Sequence, residues 1–434
     1  MKTQVPLSRF AKLVVGVIGL TAAISVNAEP FAYITNSGCM CSDGTVSVID
    51  TATETVVDTI GVGSYPYGVA VHPDGSTVYI TNNSSSTVSV IDTATNTVIA
   101  TVAVGGARGV AVHPDGGTVY VANDDSATVS VVDTTTNTVV DTVVVGDFPN
   151  GVAMHPDGSS VYVANENSGT VSVIETATNT VIATVPIGSG QGITVHPDGS
   201  RVYVTNENPD DTVSVIDTAS NSVIATVTVG SNPVGVSVHP NGSTLYVANY
   251  SSTAVSVVDT ATNTVVDTIT VGNAPFGISA HPDGGTVYVT NDGSNTVSVI
   301  DTATNTVVDT ITVGSGPLSM GQFIGPLLGS ITIFPPSSTL ATTTGFDLTL
   351  IAKSVKLTVV GGTATLDDVD ISASLAGCVV PGTLISGGQT FRCPNLTGGF
   401  LGEGTHTLSV TLDLSDGSSV SDTVDWTVLE NTEP

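Results

Sequence analysis

Basic residues are scarce in this chain: of 434 residues only eight are lysine or arginine, against 38 aspartates and glutamates, for a formal net charge of −30. Recognition of phosphate works through lysine and arginine, so nucleic acid and anionic membrane are excluded as expected partners. Long apolar runs are also short in supply. The one present, LVVGVIGLTAAISV (residues 13–26), follows Lys2, Arg9 and Lys12 and ends at Val26-Asn27-Ala28, small residues at the spacing a signal peptidase needs. We read residues 1–28 as a secretory signal, with a mature chain starting near Glu29 that is secreted, periplasmic or held at the cell surface. No second apolar run of about 18 residues follows, so no membrane span is expected in the mature chain. Without the signal, Arg108, Arg201, Lys353, Lys356 and Arg392 face 38 acidic residues, a formal charge of −33. A cationic ligand, calcium or a high-salt extracellular setting fits that charge, and so does the plainer role of keeping a serine- and threonine-rich surface in solution.

Enzyme signatures are lacking as well. The sequence holds no Gly-x-Ser-x-Gly elbow, no His-Glu-x-x-His, no Gly-Lys phosphate loop and no Cys-x-x-Cys. Four cysteines make an even number for an oxidising compartment. Cys378 and Cys393 are the expected disulfide, and Cys39-Met40-Cys41 allows a Cys39–Cys41 bond, pairing to another chain, or soft-metal binding. Lysine and leucine are few, while 46 glycines accompany many valines and threonines, a composition of strands.

What is present in quantity is a repeat. Residues 68–105, GVAVHPDGSTVYITNNSSSTVSVIDTATNTVIATVAVG, hold four runs that alternate β-branched with polar residues, the pattern of half-buried strands. His-Pro-Asp-Gly joins the first two: proline sets φ, aspartate bonds back to its own backbone and glycine takes the left-handed corner. His-Pro recurs at His72, His113, His155, His196, His239 and His281, and Tyr-x-x-Asn recurs at Tyr33, Tyr79, Tyr120, Tyr162, Tyr203, Tyr246 and Tyr288. A four-stranded meander of this period buries both faces only by stacking radially on its neighbours, which predicts an all-β, seven-bladed β-propeller over residues 29–326. The first unit begins at its second strand, and SGPLSMGQFIGP, after the seventh unit, aligns with first strands elsewhere. The ring is therefore expected to close by overlap of residues 317–324 with the N-terminal strand. A residue repeated in six hairpins is not a unique catalyst, so the histidines are assigned to packing, with Phe323 in the place of a seventh.

YVTN at 203–206 and 288–291, the HPDG turns and VSVIDTATNTV resemble the YVTN-type β-propeller repeat of surface-layer and exported bacterial proteins. The resemblance covers residues 31 to about 326 and implies the fold. It leaves function open among binding, surface and enzyme-associated roles.

Candidate site residues are those that differ between otherwise repeated units. The loops joining fourth to first and second to third strands share one face of a propeller. The first set ends in Tyr67, Arg108, Asn150, Gln191, Val234, Phe276 and Leu318 around the channel mouth, with Tyr65 and Phe148 beside them. The second set carries Asp210, Tyr250 and Asp292 and forms an acidic collar with Asp124, Asp125, Glu166, Glu207 and Asp211. This is the composition of a face that recognises a protein or glycan, and the expectation is a non-enzymatic binding or cell-surface protein. The alternatives are a lactonase-like or dehydrogenase-associated periplasmic enzyme or accessory subunit using the mouth, and a structural surface-layer component. Residues 327–434 lose the repeat but keep alternating strands and resemble an immunoglobulin-like sandwich, with a cysteine spacing shorter than that fold's usual inter-sheet bond.

Overall fold

A computed structural model of the chain describes the backbone of residues 25–28, 30–38, 43–207 and 209–326 and of eight strands between residues 328 and 428, with side chains in 30–38, 44–207 and 209–326. Two compact units result, Glu29–Pro326 and a second that combines Met1–Ala28 with Leu327–Pro434.

The first unit is a seven-bladed β-propeller without a helix among its described residues. Six blades are four-stranded antiparallel meanders, of which Pro66–Val71, Thr77–Asn82, Thr87–Asp92 and Thr97–Ala103 is one, and the first blade has three strands, Phe31–Asn36, Asp43–Asp50 and Thr55–Ser64. The alternation of residue type does not mean alternation of burial. Second and third strands such as Ser160–Asn165 and Thr170–Glu175 are buried on both faces except at their ends, because each blade is covered by its neighbours. Only the outermost strands stand in solvent, keeping one residue inside in six blades, as Val102, Val143 and Val185 show, and two, Ile60 and Val62, in the first. The period-two pattern thus sorts residues between two blade interfaces.

Buried polar groups are tied within each blade. Asn165 closes its second strand and donates from Nδ2 to Thr170 Oγ1 at 3.1 Å and to Ser172 Oγ at 2.9 Å in the third, and Asn82, Asn123, Asn206 and Asn291 repeat the pair. Asparagine and the Thr-x-Ser that follows are therefore one hydrogen-bonded unit, which satisfies the buried amide nitrogen, while Oδ1 of Asn82, Asn165 and Asn291 is buried without a partner. The histidines bind blade to blade: Nδ1 of His155 meets Asp157 at 2.6 Å in its own turn, while Nε2 reaches Gly199 O of the following blade at 2.9 Å. His72, His113, His196 and His239 make the same step to Gly116, Gly158, Gly242 and Gly284.

Residues 316–325 run antiparallel beside Phe31–Asn36. Tyr33 N donates to Phe323 O at 2.9 Å, Leu318 N to Thr35 O at 3.0 Å, Gly325 N to Phe31 O at 3.0 Å and Ser37 N to Gly316 O at 2.9 Å. Buried Phe323 and Ile324 share one apolar cluster with Tyr33, Val46 and Val48 of the first blade and Tyr288, Val297 and Ile311 of the seventh.

The second unit is two antiparallel sheets. One orders Ser25–Ala28, Leu328–Phe334, Phe346–Lys353 and Gln389–Leu396; the other orders Val369–Asp370, Leu357–Leu366, Gly404–Leu414 and Ser419–Val428. Residues 1–24 of the expected signal, and Cys39, Cys41 and Cys378, lie outside the described residues; Cys393 sits opposite Leu348 in the first sheet.

Candidate functional site

The mouth of the channel is set by backbone packing before any side chain matters. A glycine follows the mouth residue in six first strands, and a Cβ on Gly68, Gly109, Gly151, Gly192, Gly235 or Gly277 would collide with the carbonyl of the next blade's mouth residue, from Arg108 round to Leu318. Only glycine permits that approach, so six mouth residues are held at fixed spacing by their neighbour's glycine. The collar is fixed to the same loops. The backbone N–H groups of Asn83, Glu166, Tyr250 and Asp292 donate to Tyr65 O, Phe148 O, Asn232 O and Ala274 O at 2.9–3.0 Å, and those four acceptor residues all have φ between 52° and 56°.

Each blade therefore offers one mouth and one collar side chain, and three consecutive blades pair them the same way. Arg108 Nε donates to Asp124 Oδ2 at 2.5 Å, Asn150 Nδ2 to Glu166 Oε2 at 2.9 Å and Gln191 Nε2 to Glu207 Oε2 at 2.6 Å. Arg108 also lies 4.4 Å above the Phe148 ring and 5.1 Å from the Tyr67 ring centre, so the protein's own cation is seated between carboxylate and aromatic faces. Asp124 is almost fully buried, and its Oδ1, beside Gly106, has no hydrogen-bond partner.

The other side of the mouth is apolar. Tyr67, Val234, Leu318 and Met320 form a buried cluster against which Tyr65, Tyr250 and Phe276 pack. Phe276 meets Tyr67 and Tyr250 edge to face, with ring centroids 5.7 Å apart in both pairs. Tyr67 reaches across the axis, its hydroxyl 3.1 Å from Asn150 Oδ1, and burial pushes that hydroxyl up to about 12 against the opposing pull of Arg108. Below it a central cavity is lined by Gly109, Gly151, Gly235, Ile193, Ile278 and Met320.

Charge at the mouth is unbalanced. Burial, then the carboxyl of Glu166, raises the proton affinity of Glu207; burial raises that of Asp292 although a hydrogen bond from Tyr250 at 3.1 Å opposes it.

Of the residues singled out from sequence, Arg108, Gln191, Phe276, Glu166 and Glu207 come together half-buried at the mouth, with Tyr65 and Phe148 at its edge. Tyr67 and Asn150 are 3 % and 0 % exposed and make a floor that a docked molecule would not reach. Asp125 is exposed outside the ring, and Asp211 spends Oδ1 on the Asn232 N–H at 2.8 Å as a turn residue. Tyr250 and Asp292, which the sequence places in the same loops, belong to the collar, and so does Asn83, whose signal is positional: like them it directly follows the asparagine of Tyr-x-x-Asn. Among the described residues no group of three or more His, Cys, Asp or Glu is arranged to hold a metal ion.

The family model described as lactonase, 7-bladed beta-propeller, matches residues 25–141, 68–184 and 176–271, which together span more than half of the chain. Solved structures similar to it include one titled Kuenenia stuttgartiensis hydrazine synthase, at 24% identity and a TM-score of 0.56, over 66% of this chain and 99% of that one. A functionally unknown protein from Desulfotomaculum acetoxidans is similar at 18% identity and a TM-score of 0.56, over 67% of this chain and 99% of that one. Both likenesses speak for the fold alone. No curated protein matches the sequence.

Proposed function

From the premise that the chain belongs to the lactonase, 7-bladed beta-propeller family, we propose that it is an exported binding or cell-surface protein whose channel-mouth face recognises a protein or glycan. The observation that carries this reading is the mouth itself. Seven equivalent positions on a repeated framework hold seven different side chains, three of them paired with collar carboxylates and the others largely apolar, and not aligned on a reacting centre. The apolar segment before Ala28 supports export, and cleavage there would release Ser25–Ala28 from the edge of its sheet. The YVTN-type repeat, ring closure through residues 317–325 and an immunoglobulin-like second unit belong to the same reading. The bonds from Tyr33, Thr35 and Ser37 support the closure, and the pair of antiparallel sheets supports the sandwich.

Exchanging Tyr65, Gln191 and Phe276 for alanine together, on the mature protein, should abolish capture of its envelope partner while leaving Tm within a few degrees. Undiminished capture removes the mouth from the reading. A second reading, a periplasmic enzyme or its accessory subunit, is favoured by the family description and by Glu207, whose raised proton affinity beside Glu166 suits an acid–base pair. Lactone hydrolysis by the purified protein that Glu207→Gln eliminates would establish that reading instead.

A further inference from the structure

We propose that the group seated at the mouth is a protonated amine or guanidinium on an apolar stem, the chemistry of a partner protein's lysine or arginine side chain; this rests on the mouth being the recognition face. Around the ring the mouth divides into two arcs. Blades three to five present Asp124, Glu166 and Glu207, each already bonded on one oxygen to a mouth side chain. Blades six, seven and two present Tyr250, Phe276 and Tyr65 over the buried apolar cluster, with Asp292 between them.

One cation site of this composition is already filled from within. Arg108 takes a carboxylate, Asp124, on its edge and an aromatic face, Phe148, below its plane. Of the four carboxyl groups only Asp124 is paired with it directly; Arg108 acts on Glu166 and Glu207 from a distance, and Glu166, Glu207 and Asp292 face the half-buried mouth with no salt bridge among the described residues. Burial disfavours their ionised forms, as the raised proton affinities of Glu207 and Asp292 record, and a cation arriving from outside relieves that cost while its methylenes cover Phe276 and Tyr250. An anion would meet these carboxylates and is rejected. A neutral sugar would leave the charge uncompensated. The net charge of −30 draws cations toward the molecule from several ångströms away at low salt.

The test uses the mature full chain and three probes, read by calorimetry and by chemical-shift changes: a short peptide with Leu-Lys-Leu at its centre, the same peptide with that lysine acetylated, and glucosamine. The lysine peptide should bind, acetylation should weaken it about tenfold, and Glu207→Gln should weaken it about as much, consistent with a cation held by rings and a carboxylate. Binding should also fall with added salt. Equal binding of the acetylated peptide, no binding of the lysine peptide, or tighter binding of glucosamine overturns the inference. If the triple mouth exchange still abolishes capture of the envelope partner in those cases, the recognition face stands and only the cation falls; if capture survives the exchange, the face falls as well.

Discussion

Glu54 offers the sharpest test of how the blades are fastened. The turn leading into each outer strand places its fourth residue in the left-handed region, and six blades put asparagine there: Asn96, Asn137, Asn179, Asn221, Asn263 and Asn305. The first blade puts Glu54, at φ 53°. In two of the three blades whose predecessor supplies an aspartate the asparagine bonds to it, Asn179 to Asp141 Oδ2 at 3.1 Å and Asn305 to Asp267 Oδ2 at 3.0 Å. At the contact of the seventh blade with the first, the equivalent position sets the Glu54 carboxyl against Asp309; burial and that second carboxyl raise the proton affinity of Glu54. Glu54→Asn recovers part of the ~1–2 kcal/mol that the left-handed region costs. It also adds an amide–carboxylate bond worth about 1 kcal/mol, trimmed because the site is partly in water. The expected net gain of about 1–2 kcal/mol corresponds to a rise in Tm of roughly 1.5–3 °C for a unit of this size. Because the folded pKa of Glu54 is raised, its ionised form is the destabilising one. The gain is therefore full at pH 7, shrinks as pH falls through the raised pKa, and below about pH 4 retains only its backbone part. Thermal scans of the wild type, Glu54→Asn and the converse Asn179→Glu between pH 3.5 and 7 decide the matter. An unchanged or lower Tm for Glu54→Asn at pH 7, a gain that does not shrink in acid, or a harmless Asn179→Glu refutes the reasoning.

Two further outcomes follow from the turns and the mouth. Gly158→Ala combines a φ of +80° with a methyl 2.6 Å from His113 Nε2 and should cost about 2 kcal/mol or more. In a double-mutant cycle, His113→Ala should recover the steric part only, and full recovery or none would show that the ring does not fill that corner. Stability should peak in mild acid. The folded-state values of Asp157 and Asp198 are depressed to about 2, by hydrogen bonds from Ser159 and Ser200 first, so their contribution is present above the unfolded value near 4 and lost as pH falls toward 2. Glu54, Glu207 and Asp292 are raised, so they favour the folded state below their unfolded values and lose that contribution as pH rises through the folded ones. A Tm highest between about pH 4 and 6 is expected, and a monotonic rise to pH 8 would contradict the assignment.

The framework was legible because it is written seven times over. Repetition marked the strands, the His-Pro-Asp-Gly corners and the blade count, and the structure adds what repetition could not say: the alternation separates two buried interfaces, not inside from outside. The link from asparagine to Thr-x-Ser escaped notice because it runs between side chains of adjacent strands. At the mouth the variable positions were visible, but their depth was not. Tyr67 lies under its neighbours because Val234 and Leu318 are too small to fill the axis and leave room for a ring reaching over from the second blade. No sequence pattern encodes which of seven converging side chains ends on top. The second unit, with no internal repeat, gave strands and little else.

Departures from the repeat fall in two places, and the difference between them matters. One set lies where the seventh blade meets the first. Phe323, fully buried, stands where other blades place histidine, Ser319 replaces the close-packing glycine and bonds Thr35 through Oγ at 2.9 Å, and Glu54 replaces asparagine. These residues lie among the contacts that residues 316–325 and the seventh blade make with the first blade, and changes there act on stability. The second set is the mouth, where Arg108, Gln191 and Phe276 occupy equivalent positions and Glu207 stands in the collar, all held by backbone contacts that do not depend on the side chain displayed. A framework that fixes position without fixing identity lets the displayed groups be exchanged at little cost to the fold, which is the physical condition for a recognition face. The contrast is measurable on one molecule: exchanges at the mouth should move affinity with Tm nearly constant, and exchanges where the first and seventh blades meet should move Tm with affinity nearly constant.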